Sequence, residues 1–123
     1  EKVGIDFDCS WNQLTDLKGA PSEVGGSFNC YNNQLTDLQG APNKVGSDFN
    51  CSENQLTDLK GAPSEVGGSF DCNRNQLTTL EGKPLKIGGE FKIEDEVLAR
   101  IEELEKQKKN NAVMGAMKDK FEM

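Results

Sequence analysis

Residues 24–44 read V-G-G-S-F-N-C-Y-N-N-Q-L-T-D-L-Q-G-A-P-N-K. Phe28 and Cys30 alternate there with polar Ser27, Asn29 and Tyr31, which is the period-two pattern of a short strand with one buried face. Beyond Asn32 and Asn33, apolar Leu35, Leu38, Ala41 and Val45 fall every three or four positions, interrupted by Gly40 and Pro42. Those breakers exclude a regular helix and predict an extended or turn-like arm that brings the chain back for another strand. Gly46, with Gly25, Gly67 and Gly88 at the same phase, is expected to supply a tight bend before each strand.

The stretch recurs every 21 residues along most of the chain. Phe7, Phe28, Phe49, Phe70 and Phe91 keep this spacing, as do Cys9, Cys30, Cys51 and Cys72, and Asn12, Asn33, Asn54 and Asn75. Leu14, Leu35, Leu56 and Leu77 repeat with them, and so do Pro21, Pro42, Pro63 and Pro84. A unit this small cannot bury an apolar face by itself and must stack on its neighbours, so the expected fold is a repeat solenoid. With 34% apolar residues in 123, a narrow core running along a stack suits the composition better than one large central core.

The phased string F-x-C-x-x-N-x-L-x-x-L resembles the leucine-rich-repeat core L-x-L-x-x-N-x-L-x-x-L, with Phe and Cys in place of the first two Leu. It runs through Phe7, Cys9, Asn12, Leu14 and Leu17 in the first unit and returns in three more, ending at Leu80; Phe91 and Ile93 begin a fifth. The short repeat and its G-A-P arm are similar to the bacterial type of YopM and IpaH effectors. They are closer still to G-G-x-F-x-C-x-x-N-Q-L-T-x-L-x-G-A-P arrays of uncharacterised bacteriophage and bacterial proteins. The resemblance covers residues 3–93 and implies short parallel strands on one face, return arms behind them, and an inward ladder of Asn12, Asn33, Asn54 and Asn75. An independent reason exists for the ladder: buried backbone groups at a strand end lose their sheet partners, and a side-chain amide satisfies both kinds. Thr15, Thr36, Thr57 and Thr78, with Asp16, Asp37 and Asp58, read as surface turn residues.

The organisation expected is thus a solenoid over 1–93, a capping helix over 94–109, and a second short amphipathic helix or tail over 110–123. Acidic residues open the segment E-D-E-V-L-A-R-I-E-E-L-E-K-Q-K-K and lysines close it, matching the helix dipole at both ends. Val97, Leu98, Ile101 and Leu104 form an apolar stripe that would cover the end of the stack. Asn110 and Asn111 are expected to break the helix, leaving Val113, Met114, Met117 and Phe121 along one side of the next. At the other end Glu1 lies inside a repeat, so an uncapped first coil with an open strand edge is expected.

Chemistry is excluded more readily than function is assigned. The formal charge of −7 argues against nucleic acid, which takes clustered Lys and Arg, and no stretch reaches the length of a bilayer span. Histidine is absent, and cysteines standing in a line do not make a zinc tetrahedron. No calcium loop is present and no nucleophile meets a base, so no catalytic residue, metal or cofactor is assigned. One cysteine per repeat points to buried free thiols and a reducing, intracellular setting, the host cytoplasm if the chain is phage-encoded.

Specificity has to reside where the repeats differ. Trp11, Asn32, Glu53 and Arg74 share one phase yet have nothing in common, and Tyr31 precedes Asn32. On the strand face, Asp8, Asn29, Asn50 and Asp71 form one variable row, and Asp48 belongs to another with Asp6, Ser27, Ser69 and Glu90. These ten variable positions (8, 11, 29, 31, 32, 48, 50, 53, 71 and 74) are the expected partner-binding set, and because aromatic residues and Arg commonly anchor interfaces, Trp11, Tyr31 and Arg74 are the expected hot spots. The expected function is non-catalytic protein–protein interaction with a basic or neutral protein surface. Self-association through the first coil or the tail helices is the alternative.

Overall fold

The computed structural model describes residues 2–121, with side chains to residue 115. Each 21-residue unit makes one coil carrying two strands of two residues. The first pair is β1 (Lys2–Val3) and β2 (Phe7–Asp8), followed by β3 (Glu23–Val24), β4 (Phe28–Asn29), β5 (Lys44–Val45) and β6 (Phe49–Asn50). Then come β7 (Glu65–Val66), β8 (Phe70–Asp71), β9 (Lys86–Ile87) and β10 (Phe91–Lys92). Odd strands stack as one parallel five-stranded sheet and even strands as a second, always in register at the repeat offset, as in Phe28↔Phe49 and Val24↔Val45. The architecture is a solenoid of short parallel strands with one C-terminal helix. One strand per unit was the sequence expectation; the return arm supplies the other, because its Val or Ile finds an identical neighbour in the adjacent coil.

Stacking like on like builds the core. The Phe rings lie nearly parallel, with centroids 5.3–5.9 Å apart from Phe7 through Phe91, within the separation at which aromatic pairs attract. Phe28, Phe49, Phe70, Leu35, Leu38, Leu56 and Leu59 are fully buried. Between them runs the asparagine ladder. Asn54 Oδ1 accepts from Leu35 N–H at 3.0 Å, and its Nδ2 donates to the carbonyls of Cys30 and Cys51, both at 3.1 Å. Asn33 and Asn75 make the same bonds one coil either side. The turn aspartates also behave as read: Asp16, Asp37 and Asp58 each accept the N–H two residues on at 2.9 Å.

The expected bend falls where the sequence places it, at Gly25, Gly46, Gly67 and Gly88 between the two strands of each coil, but the reason for glycine is not its backbone conformation. Gly25, Gly46, Gly67 and Gly88 do not adopt positive φ; a Cβ on Gly67 would lie 2.2 Å from the Gly46 carbonyl oxygen, so glycine is required by the closeness of the next coil. A second turn in each unit uses Gly19, Gly40, Gly61 and Gly82, at φ of 90–95°. There the i→i+3 bond from Ala20 N–H to the Leu17 carbonyl closes a type II turn.

A single helix, α1 (Asp95–Phe121), follows the last coil. Ile101 is fully buried and Val97 packs on the core, but Leu104 is 38% exposed, so the covering stripe is shorter than expected. Asn110 and Asn111 do not end the helix, contrary to the sequence expectation. Asn lowers helix propensity by only about 0.7 kcal/mol against Ala, and the Lys- and Ala-containing flanks outweigh that. Val113 and Met114 are exposed at 54% and 67%, while Met117 and Phe121 fall outside the described side chains.

Candidate interaction surface

In each of the four complete coils the even strand is followed, three residues on, by a sharp corner whose residue is left-handed: Trp11 at φ 58°, Asn32 at 57°, Glu53 at 53° and Arg74 at 56°. L-residues with a Cβ pay about 1–2 kcal/mol for this conformation, whereas Gly avoids it and Asn tolerates it well. Only Asn32 is a comfortable occupant. These four are the residues that vary most between repeats, and the fold aligns them in one row.

Cross-coil contacts tie the row together. Trp11, 70% exposed, meets the half-buried Tyr31 edge-on with ring centroids 6.3 Å apart. Arg74 Nη1 donates to Glu53 Oε1 at 2.7 Å, and Asn32 Nδ2 donates to Glu53 Oε2 at 3.4 Å. A hollow of about 470 Å³ opens between Trp11, Asn12, Gln13 and Asn32. The apolar end of the row therefore lies beside open space and the charged end is internally neutralised.

The strand-face positions lie alongside but have a second duty. Asp48 accepts the Ser69 N–H at 2.8 Å, one rung of a ladder in which Asp6 receives Ser27 N–H at 2.7 Å and Ser69 Oγ receives Glu90 N–H at 3.1 Å. Asp8 receives both the N–H and the hydroxyl of Ser10, and those bonds hold its carboxyl below the usual carboxylate range. Asn50 accepts from Ser52 and Asp71 from the Asn73 N–H at 3.0 Å. Asp8, Asn50 and Asp71 thus cap their own strand ends while Asp6, Asp48 and Ser69 bridge to the next coil, and all of these but Asp8 line a shallow cleft of about 260 Å³ that includes Asn29 and Lys92.

The four cysteines carry free thiols inside the stack. Burial pushes the thiols of Cys30 and Cys51 far up and that of Cys72 to about 12; Cys9, half-buried, is raised less, also by burial. Among the described residues no cluster of His, Cys, Asp and Glu could hold a metal ion, and no helix is long and apolar enough to cross a membrane.

Sequence reading missed a further feature, the row Lys2, Glu23, Lys44, Glu65 and Lys86 along the odd strands. Its charges alternate, giving ion pairs Lys2–Glu23 at 3.6 Å, Lys44–Glu65 at 3.8 Å and Lys86–Glu65 at 3.9 Å, all largely exposed. With the Val and Gly rows it borders a groove of about 600 Å³. The 21-residue alternation of Lys and Glu was the available signal. Comparison with protein-family models, curated proteins and solved structures gives no significant match to this chain.

Proposed function

We propose that this chain is a non-catalytic protein-recognition module of the leucine-rich-repeat type, working through the corner row Trp11, Asn32, Glu53 and Arg74 with Tyr31 and the neighbouring strand face. The observation that carries this reading is the left-handed backbone beneath Trp11, Glu53 and Arg74. Strained backbone persists where the surrounding fold imposes it and tends to accumulate at working sites. Selection for stability alone favours Gly or Asn at such a corner; bulky and charged residues that differ in every coil favour a use for the side chains. The partner chemistry follows from the surface. Trp11 and Tyr31 offer an aromatic edge beside a hollow, and Asp6, Asp8, Asp48 and Asp71 make the adjoining face acidic, so the matching surface is an apolar patch flanked by Lys or Arg. Four free thiols fit a reducing compartment, the cytoplasm of a bacterium or of a phage-infected host.

The test is capture of partner proteins by immobilised chain, wild type against Trp11→Ala and against Arg74→Ala. Loss of the same captured protein on Trp11→Ala, with unchanged circular dichroism, supports the reading. Undiminished capture by both variants would reject the corner row.

A further inference from the structure

We propose that the last coil accepts an extended partner segment as one more strand beyond β9, and that the segment carries an acidic residue, a β-branched apolar residue and glycine in that order. Backbone groups supply the first reason. Gly25, Gly46, Gly67 and Gly88 donate N–H to the carbonyls of Val3, Val24, Val45 and Val66 at 2.6–2.9 Å, and Ser47, Gly68 and Gly89 donate to Gly26, Ser47 and Gly68 at 2.8–3.0 Å. One coil further on, the carbonyls of Ile87 and Gly89 are the corresponding acceptors, and no donor reaches either among the described residues. A sheet edge in this state is a template for strand addition.

The apolar surface supplies the second reason. Lys83, Pro84, Leu85, Ile87, Gly89 and Phe91 line a hollow of about 510 Å³, and Leu85 is 88% exposed. Among the described residues none of α1 lines it; the helix packs on the core through Val97 and Ile101.

The row of alternating charges identifies the occupant. Within the stack each Lys faces a Glu in register, and Lys86 shares Glu65 with Lys44 while its other side is open, the side chain being 79% exposed. The next position in the series is therefore acidic. Backbone closeness restricts the next two residues as well. Each Gly at the Gly88 phase lies so near its predecessor that a Cβ would come within 2.1–2.8 Å of a carbonyl oxygen, and a residue stacked on Gly88 meets the same limit. The apolar residue before it has the place that Val66 has against Val45. Ser64-Glu65-Val66-Gly67-Gly68 is this chain's own example of the chemistry. Setting Lys2 of a second copy against Lys86 would make a like-charge pair, so an acidic segment of another chain is the better charge match.

The probe is a synthetic peptide, acetyl-PSEVGGSF-amide, titrated to millimolar concentration into the full ¹⁵N-labelled chain, beside its analogue with Lys in place of Glu. Amide shifts concentrated at Leu85, Ile87, Gly88 and Gly89 are expected. The Glu peptide should bind about twofold to fivefold tighter than the Lys peptide, the range of an exposed ion pair, and Lys86→Glu should reverse that order. Leu85→Asp should remove binding of both peptides. The proposal is overturned by absence of shifts at the last coil, by a preference that Lys86→Glu leaves unchanged, or by concentration-dependent self-association that occupies the same amides.

Discussion

Replacing Asn54 by Ala removes a side chain that is 6% exposed and makes bonds in two coils. The consequences differ among its partners. The Cys30 carbonyl keeps its bond from Asn33 Nδ2 at 3.0 Å, and the Cys51 carbonyl keeps its bond from Asn75 Nδ2 at 3.0 Å, because the ladder overlaps. The Ser52 carbonyl keeps the Asn32 N–H at 3.1 Å. Only the Leu35 N–H, donated to Asn54 Oδ1, loses its acceptor, and Leu35 is fully buried. A stranded buried donor costs about 1–3 kcal/mol, and the redundant bonds add roughly 1 kcal/mol more, so a loss of about 2–4 kcal/mol is expected. Asn12→Ala is the internal control: Asn12 is exposed and donates only to the Cys9 and Ser10 carbonyls, so its loss should cost under about 1 kcal/mol. Urea denaturation followed by circular dichroism of the wild type and both variants measures the difference. Equal destabilisation by Asn54→Ala and Asn12→Ala would refute the assignment of the ladder as a structural element.

Thiol labelling of native protein at neutral pH should proceed first at Cys9, with Cys30, Cys51 and Cys72 reacting only as the chain unfolds; a uniform rate for all four would contradict their burial. Raised folded-state thiol pKa values stabilise the native state below the ordinary value near 9.0, and that contribution is lost as pH rises toward about 12 for Cys72. Melting temperature should accordingly fall through this alkaline window, and a flat profile would place the thiols in water. Ile101→Asp puts a carboxylate where exposure is zero and should unfold the last coil or aggregate the protein, whereas a neutral result would mean that α1 does not pack. Gly67→Ala should push the third and fourth coils apart through a 2.2 Å contact, while Gly4→Ala, with nothing within 4 Å, should leave the melting temperature unchanged; equal effects would exclude the close-approach explanation.

What was legible in the sequence depended on how many residues carried each signal. The even strands showed because Phe and Cys alternate with polar neighbours on both sides, and the asparagine ladder showed because its residue never changes. The odd strands did not, since two residues such as Lys44–Val45 are too few to display alternation and Val45 also fits the spacing of a return arm. The left-handed corner was hidden for a different reason. Glycine announces positive φ, but Trp11, Glu53 and Arg74 carry no such mark, and the fold imposes the conformation on them. Variation at that phase was still visible, which is how the row entered the candidate set without its backbone being known. Asn110 and Asn111 misled because a weak local preference was read as a terminator where nothing in the tertiary structure reinforces it.

The most direct measurement converts the corner row to the residue that suits its backbone. In the triple variant Trp11→Asn, Glu53→Asn, Arg74→Asn, relief of three left-handed positions offsets loss of the Trp11–Tyr31 contact and of an exposed Glu53–Arg74 ion pair, worth about 1 kcal/mol each. Stability in urea should therefore stay within about 1–2 kcal/mol of the wild type or rise, while capture of the partner is lost. A variant that keeps full capture, or one that loses stability and capture together, would contradict a corner row held for recognition.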